Sequence, residues 1–96
     1  MAVEAVVGYY THLVNVSREG NGAISATTNV DGNDNDFKTF VRASVVNDNT
    51  VRIEVDDTWV NQAGSSGHTF YNGVVRISVA ATDDYLSEYV DVQVNH

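Results

Sequence analysis

The stretch "FKTFVRASVVNDNTVRIEVDD", Phe37 to Asp57, alternates in side-chain character on both sides of a short polar run. Phe37, Thr39, Val41, Ala43 and Val45 fall on one line, and Lys38, Arg42 and Ser44 fall on the other. After "NDN", Asn47 to Asn49, the alternation resumes with Val51, Ile53 and Val55 against Arg52, Glu54 and Asp56. Period two is the signature of a strand with one buried and one wet face. Reading Asn47–Asn49 as the loop sets Val46 opposite Thr50. Counting outward then sets Val45 against Val51, Ala43 against Ile53, Val41 against Val55, and Arg42 against Glu54. Apolar meets apolar and cation meets anion, as a correct antiparallel register requires.

The same pattern runs through the rest of the chain. "GVVRISVAAT" places Val75, Ile77 and Val79 against Arg76 and Ser78. "YLSEYVDVQV" places Leu86, Val90, Val92 and Val94 against Ser87, Tyr89, Asp91 and Gln93. A turn at Asp83–Asp84 pairs Ile77 with Val90, Val75 with Val92 and Arg76 with Asp91. Glu88 is the misfit, because it falls on the inward line opposite Val79. A bulge or an open end of the sheet would accommodate it. "VVGYYTHLVNVS" is apolar on both lines, with Val6, Tyr10, Val14 and Val16 on one and Val7, Tyr9 and Leu13 on the other. Such a strand is expected to be covered on both faces, by a second sheet or a neighbouring subunit. A short strand in "GAISATTNV" comes next, and "EGNG", Glu19 to Gly22, reads as a hairpin signal before it. The expected fold is a single all-β domain over residues 1–96. It is an antiparallel sandwich or barrel of about six strands with mostly hairpin connections.

Composition narrows the function. The chain has 96 residues, no cysteine and a formal net charge of -8. A domain this small buries only about two thirds of its unfolded surface. Disulfides and thiolate metal sites are ruled out, which leaves oxygen-bound metal or partner subunits as added support. The acidity argues against nucleic acid and against anionic membranes, and suits a basic partner. Glu4 stands where a signal peptide has Lys or Arg, and no apolar run is long enough to span a bilayer. Synthesis in a cytoplasm without a signal peptide is the expectation.

Few residues suggest chemistry. "VDGNDNDFKTF", Val30 to Phe40, spaces Asp31, Asn33 and Asn35 as oxygen ligands in a calcium loop are spaced, with Asp36 beside them. An EF-hand pattern fails, because Asp36 stands where it needs glycine and Arg42 where it needs glutamate. "DGNDND", Asp31 to Asp36, resembles part of the calcium loop of bacterial calcium-dependent fucose-binding lectins. Val30 stands where that loop has its leading acid, and Lys38 and Thr39 where it continues with Asn-Asp. The resemblance therefore implies a calcium ligand set at most, and no lectin activity. The alternative is a polar turn that needs no cofactor. His12, His68 and His96 share no metal spacing, and His12 reads as a satisfied, half-buried residue. No nucleophile elbow or phosphate loop is present, so no enzyme activity is expected.

Aromatic residues are the remaining candidates. Trp59 precedes the long loop "NQAGSSGH", Asn61 to His68, and Phe70 and Tyr71 come after it. With Tyr9 and Tyr10 they are candidate partner- or ligand-binding residues, since large rings anchor interfaces. The expected function is that of a structural or interaction protein, a subunit of a homo-oligomer or larger assembly. A virion accessory protein, a capsid cement or tail component, fits this profile. The alternative is a carbohydrate- or ligand-binding β module using the aromatics around the 61–68 loop, assisted by calcium.

Overall fold

The computed structural model of the chain describes residues 11–55 and 72–95. Six strands and one short helix occupy them: β1 (Thr11–Asn15), β2 (Ile24–Thr27), α1 (Asn35–Phe40), β3 (Val41–Asn47), β4 (Thr50–Val55), β5 (Asn72–Val79) and β6 (Glu88–Asn95). They form two antiparallel three-stranded sheets, ordered β1-β4-β3 and β2-β5-β6. The all-β class is a direct consequence of the alternating runs.

One apolar core lies between the sheets. Val14, Val41, Val51 and Ile53 come from the first sheet, and Val75, Ile77, Val79, Val92 and Val94 from the second. These are the residues on the inward lines of the sequence. β-branched side chains dominate because they fill a pleated face with little rotamer entropy to lose.

The registers of both hairpins match expectation at Val45–Val51, Ala43–Ile53, Val41–Val55 and Arg42–Glu54. Ile77–Val90, Val75–Val92 and Arg76–Asp91 also pair, and the ladder ends at Val79–Glu88. One pairing differs. Asn47, not Val46, faces Thr50, so the turn is the two residues Asp48 and Asn49, and the register shifts between Val45 and Asn47. The shift absorbs Val46 as the extra residue and leaves its side chain exposed.

Three of the five connections between the described strands depart from the hairpin expectation, since β4 and β5 also lie in different sheets. β1 and β2 lie in different sheets, so residues 16–23 are a crossover and "EGNG" closes no hairpin. Gly22 does not take a positive φ; among the described glycines only Gly32 does. Ala23 O instead accepts from Ala80 N at 2.9 Å, which ties the crossover to the end of β5. The second departure is the path from β2 to β3. The strand expected from Phe37 begins at Val41, and Asn35–Phe40 is helical. Within "VDGNDNDFKTF" the turn is only Val30–Asn33, closed by Asn33 N donating to Val30 O at 3.1 Å. Gly32 sits third in this turn at φ 93°, in the left-handed region that favours glycine.

Asp34 then caps the helix, its Oδ1 accepting from Phe37 N at 2.6 Å. A helix of six residues does not stand alone in water. It stands here because Phe37, wholly buried, enters the core. There it meets Gly73, where an added Cβ would come within 2.6 Å of the Phe37 ring. Thr39, which a strand would place on the same face as Phe37, is exposed, its Oγ1 donating to Asn35 O at 2.8 Å.

The helix and strand readings separate by mutation. Phe37→Ala is expected to cost about 3–5 kcal/mol of unfolding free energy in urea, as for other buried aromatics. Thr39→Ala is expected to stay within about 0.5 kcal/mol of the parent. Equal losses at both positions would restore the strand reading.

Candidate functional site

The two ends of the sandwich differ. At one end Phe37 plugs the core, and β4 leaves at Val55 and β5 begins at Asn72 beside it. At the other end three connections meet: the 16–23 crossover, the Asp48–Asn49 turn and the 80–87 loop. Arg18 Nη1 donates to Asp48 O, and Val16 N donates to Asn49 O at 2.8 Å, fastening crossover to turn. The Tyr85 ring lies over Gly20, fastening crossover to loop. Within the loop, Thr82 N donates to Tyr85 O at 2.9 Å.

Exposed apolar side chains collect around this three-loop end. Val45, Val46, Tyr85 and Leu86 form its rim, with Leu86 86 % exposed. Alternation alone predicts Leu86 on the inward line of its strand. The ladder ends two residues later, at Glu88, so Leu86 lies in the loop instead. A groove of about 560 Å³ runs on one flank, lined in part by Arg18, Ile24, Val45 and Asp48. A second, of about 550 Å³, lies on the other flank, lined by Ser25, Ser78, Ser87, Glu88 and Tyr89 together with Val79 and Ala80. Both volumes fall in the range of small-ligand clefts.

Glu88 takes the open-end solution to its inward position. Its partner Val79 is the last in the ladder, and the residue is half-buried, its side chain on the inward face and Tyr89 on the outer one. Its Oε1 is buried with no hydrogen-bond partner. His12 is likewise half-buried opposite Ile53, but its Nε2 has no partner, so the expectation of a satisfied histidine is not met. Beside the groove, Arg76 holds Asp91 through two hydrogen bonds, Nε to Oδ1 at 2.8 Å and Nη2 to Oδ2 at 3.0 Å. The same guanidinium lies 4.1 Å from the centroid of the Tyr89 ring, a cation–π geometry that fixes the ring. The hydrogen bond from Arg76 lowers the Asp91 pKa below its ordinary value.

The candidate metal residues do not converge. Asp31, Asn35 and Asp36 are exposed, whereas Asn33 is buried. Asn33 Oδ1 accepts from Val74 N at 2.9 Å, and its Nδ2 donates to Val74 O and Thr28 O, both at 2.8 Å. The oxygen that a calcium ion would need is engaged by the backbone. Among the described residues no three His, Asp or Glu side chains are grouped to hold a metal. Tyr9, Tyr10, Trp59, Phe70 and Tyr71 lie outside the described residues. Leu13, on the outer line of the doubly apolar run, is 53 % exposed, so this chain alone does not cover that face there. Among the described residues no helix is long and apolar enough to cross a membrane. No family model, curated protein or solved structure matches this chain.

Two measurements check the site. Because the Asp91 pKa is depressed in the fold, its pairing stabilises above the ordinary value of 3.8 and is lost as pH falls from there through the depressed value. An NMR titration should place the Asp91 midpoint below 3.8, and Arg76→Gln should move it upward. An identical midpoint in both proteins would mean that the pair does not form in solution. For the 30–40 segment, thermal melts in EDTA and in millimolar calcium should share one midpoint. A calcium-dependent rise of several degrees, abolished by changing Asp31, Asp34 and Asp36 to asparagine, would overturn the capped-turn assignment.

Proposed function

We propose that this chain is a non-enzymatic structural or interaction protein, a subunit of a homo-oligomer that docks through its three-loop end. The observation that carries this reading is the placement of Val45, Val46, Tyr85 and Leu86. Four exposed apolar side chains border one end, while Phe37 fills the core at the other. Water penalises each of these side chains in the isolated chain, and a second copy seated on the rim would remove that penalty.

A second copy fits by charge as well as by apolarity. Arg18 lies on the crossover, and Asp83 and Asp84 lie in the adjoining loop. Two-fold pairing of such a rim can set the cation of one copy against the anions of the other. The net charge of -8 opposes association at long range. Salt screens that repulsion, so association should strengthen as ionic strength rises. Leu13, exposed on β1, offers a second contact surface for a larger assembly. A virion accessory component, such as a capsid cement or tail protein, is one assembly of this kind. The rival reading, a glycan-binding module, would use Trp59, Phe70 and Tyr71.

Sedimentation velocity across the micromolar range tests the proposal. The parent should run as an oligomer, and the double variant Val46→Asp, Leu86→Asp as a folded monomer. A parent that stays monomeric at high concentration and high salt would contradict it, as would a double variant that sediments like the parent.

A further inference from the structure

Two-fold pairing of the rims would leave Leu13 uncovered. Leu13 stands on the outer face of the first sheet in register with Arg52, which in turn faces Ser44, and all three residues are exposed. Arg42 and Glu54 are register neighbours in the next row, whereas the Arg52 guanidinium forms no ion pair with any described residue. An exposed leucine thus lies beside an uncompensated cation. The 80–87 loop carries the opposite pattern. Thr82 N donates to Tyr85 O at 2.9 Å and Tyr85 N donates to Thr82 Oγ1 at 3.2 Å, so the turn between them is closed twice. Asp83 and Asp84 occupy its tip, both exposed, and Leu86 projects just beyond them. Neither surface suits its own image. Two outer faces set together would bring like cations close, and two loops set tip to tip would oppose the same aspartates.

Building on self-association through the three-loop end, we propose that the interface is heterologous. The 80–87 loop of one copy seats Leu86 against Leu13 on the outer face of the first sheet of the next, and sets Asp83 and Asp84 against Arg52. The two leucines leave water together, which supplies the attraction. The charges fix which surface meets which, and exclude face on face and loop on loop. A contact between unlike surfaces leaves one loop and one face free in every pair of copies. Further copies therefore add in one direction, until a ring closes or a filament grows.

Sedimentation velocity of mixed variants tests this. Leu13→Glu spoils the face and keeps the loop, and its carboxylate lies in register with Arg52, so strand pairing is retained. Leu86→Asp spoils the loop and keeps the face. Each variant alone should associate about tenfold or more weakly than the parent, the factor that burying one leucine carries. An equimolar mixture of the two should give a heterodimer and nothing larger, because one sound loop and one sound face remain between them. Arg52→Glu should weaken association as well, and so should the double variant Asp83→Lys, Asp84→Lys. Mixing these two should restore association, since each loop then meets a face of opposite charge. The proposal is overturned if Leu13→Glu sediments like the parent, a result that leaves two-fold pairing of the rims standing. It is also overturned if the leucine variants stay monomeric when mixed where the parent associates, or if the charge-reversed mixture recovers nothing. A parent that stays monomeric overturns it together with self-association itself, so the two failures are distinct results.

Discussion

One side-chain amide stands in for a missing piece of strand. β2 pairs with β5 from Ile24–Val79 to Thr27–Arg76 and then stops. Two residues further along the ladder, Val74 would face Asn29. Asn29 N instead donates to Thr27 Oγ1 at 3.1 Å, and the chain turns away. Val74 is left with a donor and an acceptor directed where β2 no longer runs. Asn33 meets both: its Oδ1 takes the Val74 N–H and its Nδ2 reaches the Val74 carbonyl. A carboxamide carries the same acceptor and donor as a peptide unit, which is why asparagine can extend a ladder by one rung. An aspartate, having no donor, cannot.

That rung organises the segment between β2 and β3. With Asn33 fixed, the next residue, Asp34, is placed to cap a helix, and the helix delivers Phe37 to the core beside Gly73. An added Cβ on Gly73 would also come within 2.8 Å of Asn33 Oδ1, so the same glycine accommodates both the clamp and the ring. The helix therefore closes one end of the sandwich, where β4 leaves and β5 begins. At the other end the three loops are tied to each other by backbone hydrogen bonds and by Tyr85 on Gly20, and Val46 and Leu86 are left outward. A small domain without disulfides has limited apolar burial from which to draw stability. Its sealed end supports the fold, and its open end presents the surfaces on which the proposed interactions rest.

The strands are legible in the sequence because their physics is local. Alternation at Val41–Val55 and at Val75–Val94 fixes which face is buried, and a register one residue off would turn every valine outward. The helix is not legible, because Phe37, Thr39 and Val41 continue the same alternation through a segment too short for a 3.6-residue period to show. The capping pattern, an aspartate at Asp34 three residues before the apolar Phe37, is the signal that could reveal it. Asn33 reads as a calcium ligand because amide-rich loops serve turns and metals alike. What distinguishes it is a partner 41 residues away, Val74, which no local pattern encodes. Glu88 is visible as a misfit on an otherwise apolar line. Leu86 continues the alternation of β6 past the point where pairing with β5 stops, so its exposure is set by the turn rather than by the strand pattern.

If the Asn33 amide takes the place of a strand at Val74, native-state hydrogen exchange detects it at a single N–H. In the parent, the Val74 amide should exchange as slowly as core amides such as Ile77, opening only with global unfolding. In Asn33→Ala, Val74 should exchange by local opening, faster than Ile77 by a wide margin, while Ile77 still tracks the global stability. Fast exchange at Val74 in the parent, or equal protection of Val74 and Ile77 in Asn33→Ala, would contradict this role for Asn33.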